Sequence, residues 1–177
     1  PMRFQKHHPC YLPFCYAVGA GSVRGHTKYI FATDDQGPCY AIDPQTGQRE
    51  TVWEGPGGTM SIVPLPNREG TFLASQNFMP GFSAAHAKIV MVSPCSDGTW
   101  KVVPWLDLPY VHRFDILERN GYFYFLGCTL SSTKQEQARW DEPGALIVAP
   151  ISPEFDPPTN LTTIASGMSR NHGYFRL

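Results

Sequence analysis

The chain repeats one pattern of short apolar strands separated by turn residues. Three joints place a strand end, a short turn and a new strand in the same order: WEGPGGTMSIV, LDLPYVHRFDI and ASGMSRNHGYF. His8, Met60 and His112 open successive groups of four strand-like runs at a spacing of 52, and His172 opens the next group 60 residues later. Such self-similarity constrains a fold strongly, because each repeat must be one supersecondary unit that packs against its neighbours.

The runs between the joints are rich in β-branched and aromatic residues, and the 177 residues include 16 Gly and 17 Pro. This composition is typical of strands and turns, and no stretch holds a helical period. A two-sheet sandwich also contains many short strands, but it does not predict a fixed spacing of corresponding joints. A period near 50 with four strands per repeat favours an all-β fold, a β-propeller built of four-stranded antiparallel blades.

The joints also divide the chain. We expect one partial propeller over residues 1–177, with blades at approximately 8–58, 59–110 and 111–170, and with 171–177 opening the next blade. About three blades and one strand do not close a ring, so an apolar blade face and a strand edge stay uncovered. We therefore expect a partner: the second half of the propeller, as another chain or chain segment, or further copies in a homo-oligomer.

Charge and hydropathy exclude several classes of function. Lys and Arg total 14 against 15 Asp and Glu, so no basic field exists to hold nucleic acid or an acidic membrane surface. No apolar run approaches the roughly 20 residues that span a bilayer, and PMRFQKHH lacks the apolar region of a signal peptide. The five cysteines contain no C-x-x-C pair and are expected to be reduced thiols. The sequence predicts a cytoplasmic protein.

In a four-stranded blade, the start of the innermost strand and the loop between the second and third strands lie on the same rim. The two longest connections, 76–87 and 131–143, are both of this second kind. Binding residues tend to collect where long loops share a rim. We therefore expect any ligand, most simply a small polar molecule, at this mouth of the central channel.

Histidines recur at the expected starts of the innermost strands. Because these strands surround the channel, His112 and His172, with His8 as a third ligand, would face a common axis. Neutral imidazoles there would hold a divalent metal, zinc or manganese, at about 2.0–2.1 Å. The alternative is structural: each imidazole donates to a carbonyl of the neighbouring blade, since repeats reproduce structural residues as readily as functional ones.

The two long loops supply the other candidate residues. His86 or Lys134 would move a proton during catalysis. The expected substrate contacts are aromatic or charged side chains: Phe78, Phe82, Arg139, Trp140, Asp141 and Glu142. For His86, and for Trp140 with Asp141 and Glu142, the alternative is an ordinary solvated loop.

The stretches ETVWEGPGGTMSIVPLP, DLPYVHRFDIL and SRNHGY resemble a group of bacterial, mostly uncharacterised propeller proteins related to FG-GAP or VCBS-type repeats. The propeller part of aldos-2-ulose dehydratase, a sugar lyase, is similar to the same group at a greater distance. The resemblance covers most of residues 8–177 and implies roughly half of such a propeller. DDQGP and DPQTGQ lack the D-x-D-x-D-G spacing of a calcium loop, so calcium is not implied.

Two classes of function remain open at this stage. In the first, the channel mouth is the active site of a metal-dependent lyase or isomerase that acts on a small polar substrate; the resemblance implies a sugar-derived one. In the second, the propeller is a non-catalytic platform that binds a protein or a glycan. Propellers serve both purposes. The recurrence of His beneath the long loops favours the enzyme.

Overall fold

Twelve β-strands make up the regular structure of the computed structural model, which describes residues 3, 11–33, 35–79, 84–136 and 139–174. Within these ranges there is no helix of the length and hydropathy that would cross a membrane. The strands are β1 Cys15–Val23, β2 His26–Thr33, β3 Cys39–Ile42, β4 Arg49–Trp53, β5 Ile62–Pro64, β6 Phe72–Gln76, β7 Lys88–Pro94, β8 Trp100–Asp107, β9 Val111–Arg119, β10 Tyr122–Thr129, β11 Gly144–Ile151 and β12 Thr162–Met168.

The strands form three four-stranded sheets in chain order, β1 to β4, β5 to β8 and β9 to β12. All neighbouring strands are antiparallel, so each sheet is a simple meander. The sheets occupy 15–53, 62–107 and 111–168, beside the expected divisions 8–58, 59–110 and 111–170. The expected all-β class with four-stranded antiparallel units is confirmed.

Tight turns join the first two strands of the outer sheets. Arg24 and Gly25 have φ of +51° and +77°, and Asn120 and Gly121 have φ of +54° and +79°. Two successive residues with positive φ match the twist of a two-residue hairpin. These hairpins lie at the end of the sheets opposite the long loops.

The middle sheet is buried on both faces, because successive strand residues point to opposite sides. Phe72 and Val90 pack toward the first sheet, whereas Leu73 and Ile89 pack toward the third. The first core includes Ala17, Ile30, Ala32, Ala41, Val52 and Val92. The second includes Trp105, Leu108, Phe114, Ile116, Phe125 and Phe155. The first sheet packs against one face of the middle sheet and the third sheet packs against the other. The three sheets therefore follow one another around a common edge.

The first strands of the sheets meet at that edge. A Cβ at Gly19 of β1 would lie 2.7 Å from Cγ2 of Ile62 in β5, so the two strands approach closely. The Ser61 hydroxyl, just before β5, donates to the carbonyl of His112 in β9 at 3.1 Å. β1, β5 and β9 are therefore the innermost strands around a common axis.

The two end sheets carry exposed apolar side chains. In the first sheet Val18 is 59% exposed and Tyr29 is 41% exposed, and in the third sheet Ile164 is 57% exposed. In a closed ring, a neighbouring blade covers such positions.

Candidate functional site

Four residues with left-handed backbone mark the entries to the innermost strands and to the last described segment. Their φ angles are +54° at Phe14, +69° at Gly58, +62° at Tyr110 and +50° at Arg170. Each lies two positions before one of four corresponding residues: Tyr16, Met60, His112 and His172. The expected correspondence of positions 60, 112 and 172 is therefore seen in the backbone itself.

The first of these residues is Tyr16 and not His8. We expected the first innermost strand to start at His8, but β1 begins at Cys15. Pro13 lacks an N–H and Phe14 is left-handed, so the strand ladder starts after them. The sequence holds a signal for this: LPFCYA at 12–17 matches LPYVHR at 108–113 and aligns Tyr16 with His112. His8 itself lies outside the described residues.

Both Tyr16 and His112 are extra residues in β-bulges. In β1 the ladder pairs Cys15 with Thr33 and Ala17 with Ala32, and in β9 it pairs Val111 with Thr129 and Arg113 with Cys128. A bulge leaves one residue unpaired and re-aims its side chain. The two bulges thus bring Tyr16 and His112 together although 96 residues separate them.

His112 is enclosed by aromatic rings and is only 8% exposed. Its Nδ1 lies 2.9 Å from the carbonyl oxygen of His172, and its Nε2 lies 3.3 Å from the Tyr16 hydroxyl. The Phe78 ring meets it edge-on with centroids 5.3 Å apart, and the His172 ring lies at 4.7 Å. Burial is the main cause that lowers the pKa of His112 to about 4, with smaller contributions from His172 and Arg113. The imidazole is therefore neutral near neutral pH.

Both ring nitrogens of His112 lie within hydrogen-bonding distance of protein groups, as the structural alternative to metal binding expects. Nδ1 of His112 lies at hydrogen-bonding distance from the backbone carbonyl of His172, and Nε2 lies at hydrogen-bonding distance from the Tyr16 hydroxyl. Among the described residues, no group of three or more His, Cys, Asp or Glu side chains is arranged to hold a metal ion. His172 is exposed beside His112, and a metal site formed by His112, His172 and His8 stays a prediction.

The long loops add an aromatic cluster above His112. Phe78 is 3% exposed and stacks parallel to Trp140, with ring centroids 6.0 Å apart and 5° between the planes. The Lys134 ammonium lies 3.5 Å from the centroid of the Trp140 ring, a cation–π contact. Partial burial lowers the pKa of Lys134. The structure therefore brings three of the expected site residues, Phe78, Trp140 and Lys134, into one cluster, and Phe78 joins that cluster to His112.

The remaining loop candidates lie at the surface. Arg139 and Asp141 form an exposed ion pair with each other. Glu142 is exposed, and its backbone carbonyl accepts a hydrogen bond from the Ser131 hydroxyl at 2.6 Å. His86 is also exposed, and Phe82 lies outside the described residues.

A groove of about 480 Å³ runs along the innermost strands. The residues that line it include the polar residues Tyr16 and Ser61 and the charged residues Arg113 and Asp115. Apolar residues complete the lining: Ala17, Val18, Met60, Ile62, Val63, Pro64 and Phe114. Sequence reasoning missed Tyr16, Ser61, Arg113 and Asp115 as site residues, because the groove that they line is formed only once the sheets are packed.

Two further grooves lie away from this axis. One of about 400 Å³ separates the first two sheets at the opposite rim, where Glu69 accepts hydrogen bonds from Ser22 and Gly25. The other, of about 440 Å³, lies beside Tyr11 and Tyr40.

Antiparallel four-stranded sheets whose first strands converge on one groove define a class of protein, the β-propellers. Solved structures of propeller fold match this chain. An α-L-arabinofuranosidase from Lactobacillus brevis matches with TM-score 0.54 and 7% identity, over 84% of this chain and 52% of that one. The PQQ-bound aldose sugar dehydrogenase from Streptomyces coelicolor matches with TM-score 0.48 and 16% identity, over 85% and 48%.

A third match is a glycoside hydrolase family 43 arabinoxylan arabinofuranohydrolase from Bacillus subtilis, with TM-score 0.44 and 12% identity, over 85% of this chain and 35% of that one. No family model and no curated protein matches the sequence. The chain is thus a partial β-propeller that spans about half the length of the first two structures it matches.

Proposed function

We propose that this chain is part of a β-propeller that binds a small polar, sugar-derived ligand in its central groove. The observation that carries the proposal is the groove of about 480 Å³, whose lining includes Tyr16, Ser61, Arg113 and Asp115. Ligand sites commonly measure about 300–1,000 Å³ and combine apolar walls with a few convergent polar groups. A guanidinium donates to ligand oxygens and a carboxylate accepts from ligand hydroxyls, which suits a polyhydroxylated molecule.

The choice of a sugar has two supports. One is the resemblance of the sequence to the propeller group that includes a sugar lyase. The other is that the three matching structures bear the names of enzymes that act on sugars. At such low sequence identity the similarity supports the fold alone. The names of these enzymes therefore serve only to select the first probes, which are L-arabinose, D-xylose and D-glucose.

The finer form of the proposal is a lyase or isomerase at the channel mouth. Lys134 is the better placed of the two candidates for proton transfer, because it lies against Trp140 in the aromatic cluster next to His112. Its lowered pKa increases the fraction of neutral amine that can accept a proton. A divalent metal at His112, His172 and His8 would polarise a carbonyl or hydroxyl of the substrate, and it would take the place of the Tyr16 hydroxyl at Nε2 of His112.

Binding is tested by isothermal titration calorimetry with each of the three sugars. Arg113→Gln removes a charged donor from the groove, and a charged hydrogen bond contributes about 1.5–3 kcal/mol, so we expect at least a tenfold loss of affinity. Arg119→Gln, at the other end of the same strand, is the matched control and should bind like the parent. Equal losses in the two variants, or no binding of any of the sugars, would contradict the proposal.

Catalysis is tested separately, by NMR of each sugar in D2O with the purified protein and with added zinc or manganese. A lyase or isomerase produces new sugar resonances or deuterium at carbon, and Lys134→Met should abolish them. Binding without any such change favours the platform that binds a glycan. Metal content before and after His112→Ala decides whether the three histidines hold a metal.

The open sheet faces support the proposed partner. Val18 and Tyr29 on one end and Ile164 on the other would be covered by further blades, supplied by another chain or segment, or by a second copy. Light scattering gives the solution mass. A solution mass of twice that of the chain supports self-association. The mass of a single chain favours the other form of the partner, in which another chain or segment supplies the further blades.

A further inference from the structure

A chain of hydrogen-bonding groups leads from the central groove to the backbone of the last described segment. Tyr16 lines the groove, and 49% of its surface is exposed. Its hydroxyl lies 3.3 Å from Nε2 of His112, and Nδ1 of the same ring lies 2.9 Å from the carbonyl oxygen of His172. The last group in this series of hydrogen bonds is the backbone carbonyl of His172, which can only accept. It therefore fixes which group donates in each of the two hydrogen bonds.

A carbonyl oxygen has no hydrogen to give, so Nδ1 of His112 must carry one and donate it. A neutral imidazole carries a single N–H, so Nε2 has a lone pair and accepts. The hydroxyl hydrogen of Tyr16 therefore points at Nε2. His112 is 8% exposed and its ring lies against the rings of Phe78 and His172, an enclosed setting that disfavours the doubly protonated form.

The packing holds the ring in this orientation. Phe78 meets the imidazole edge-on at 5.3 Å, and His172 and Tyr16 contact it at 4.7 and 6.0 Å between ring centroids. A half-turn of the ring about its Cβ–Cγ bond would exchange each nitrogen for a carbon and lose both hydrogen bonds. The bulges at Tyr16 and His112 fix the two backbones on either side.

We infer that Tyr16 presents only hydrogen-bond acceptor lone pairs to the groove and so selects ligands that place a hydroxyl or amine donor against it. The inference rests on the proposed function and specifies the ligand chemistry at this position. A sugar hydroxyl fits, because it donates to Tyr16 and extends the chain of bonds. A carbonyl or carboxylate oxygen would face the Tyr16 lone pairs without a hydrogen between them.

The first test needs no ligand. In protein labelled with ¹⁵N-histidine, two-bond ¹H–¹⁵N spectra at neutral pH should show His112 as the Nδ1–H tautomer. Tyr16→Phe should shift the Nε2 resonance of His112, whereas Tyr29→Phe, on the outer part of the first sheet, should leave it unchanged. The Nε2–H tautomer, or an Nε2 resonance that ignores Tyr16→Phe, would overturn the inference, and the wild-type tautomer decides the direction even if Tyr16→Phe fails to fold.

The second test uses whichever of L-arabinose, D-xylose and D-glucose binds, together with its singly fluorinated derivatives, since fluorine accepts weakly and cannot donate. At one sugar position the fluorine should weaken binding to the wild type by roughly tenfold, and the difference should vanish in Tyr16→Phe. Full affinity for every fluorinated sugar would overturn the inference. Failure of all three sugars to bind counts against the proposed function, while the tautomer still decides the direction of the Tyr16 bond.

Discussion

The buried imidazole of His112 makes stability depend on pH in a defined direction. Its pKa falls from 6.5 in the unfolded chain to about 4 in the folded protein, mainly through burial. Between these two pKa values, His112 is therefore protonated in the unfolded chain and neutral in the folded protein. The stabilising contribution is complete above pH 6.5, falls as the pH drops toward about 4, and is lost below it.

The magnitude follows from proton linkage. Full expression of the shift would cost about 2 kcal/mol at about pH 5 relative to about pH 7.5. Part of the ring still contacts solvent, which screens the effect, so we expect about 1–2 kcal/mol. His112→Gln, which keeps an amide donor for the carbonyl of His172, should lose this part of the pH dependence. His86→Gln, with an exposed ring in a loop, should retain it.

The assay is urea unfolding followed by tryptophan fluorescence at several values between these two pH limits. The free energy of unfolding of the wild type should fall more steeply than that of His112→Gln as the pH is lowered. Identical slopes for the two proteins would refute the reasoning, since they would mean that His112 binds its proton equally well before and after unfolding.

Two further predictions concern packing. Phe125→Ala removes a side chain with no exposed surface and should lower the free energy of unfolding by about 3–5 kcal/mol, whereas Tyr122→Ala, at 69% exposure, should change it by about 0.5 kcal/mol or less; similar urea midpoints would contradict this. Gly58→Ala should lower the free energy of unfolding by about 1–3 kcal/mol more than Gly98→Ala. Both glycines have positive φ, but only at Gly58 would a Cβ lie 2.5 Å from a backbone nitrogen, that of Phe78. Equal melting temperatures for these two variants would show that the close contact relaxes freely.

Much of the architecture was readable from the sequence. The repeated joints predicted four-stranded units, because turn residues and apolar runs report local structure directly. They also placed His112 and His172 at corresponding positions, and the two rings indeed touch. Both predictions, the four-stranded units and the corresponding positions, depend on the period of the repeat. The period can be recognised even where the residues of the repeats differ.

Other features depended on three-dimensional packing. The first strand begins late, at Cys15, because Pro13 and the left-handed Phe14 end the preceding apolar run without a visible break. Bulges reverse the alternation of side chains at Tyr16 and His112, and alternation is the only directional signal that a strand sequence carries. The stacking of Phe78 on Trp140 joins two loops of different sheets, which no local pattern encodes.

The convergence of the innermost strands on one axis is tested most directly by nuclear Overhauser effects between aromatic rings. With ring centroids 6.0 Å apart for Tyr16 and His112 and 4.7 Å apart for His112 and His172, cross-peaks should connect all three side chains. A His112 ring with cross-peaks to His172 but none to Tyr16 would separate β1 from the axis, and the central groove with its ligand site would no longer be supported.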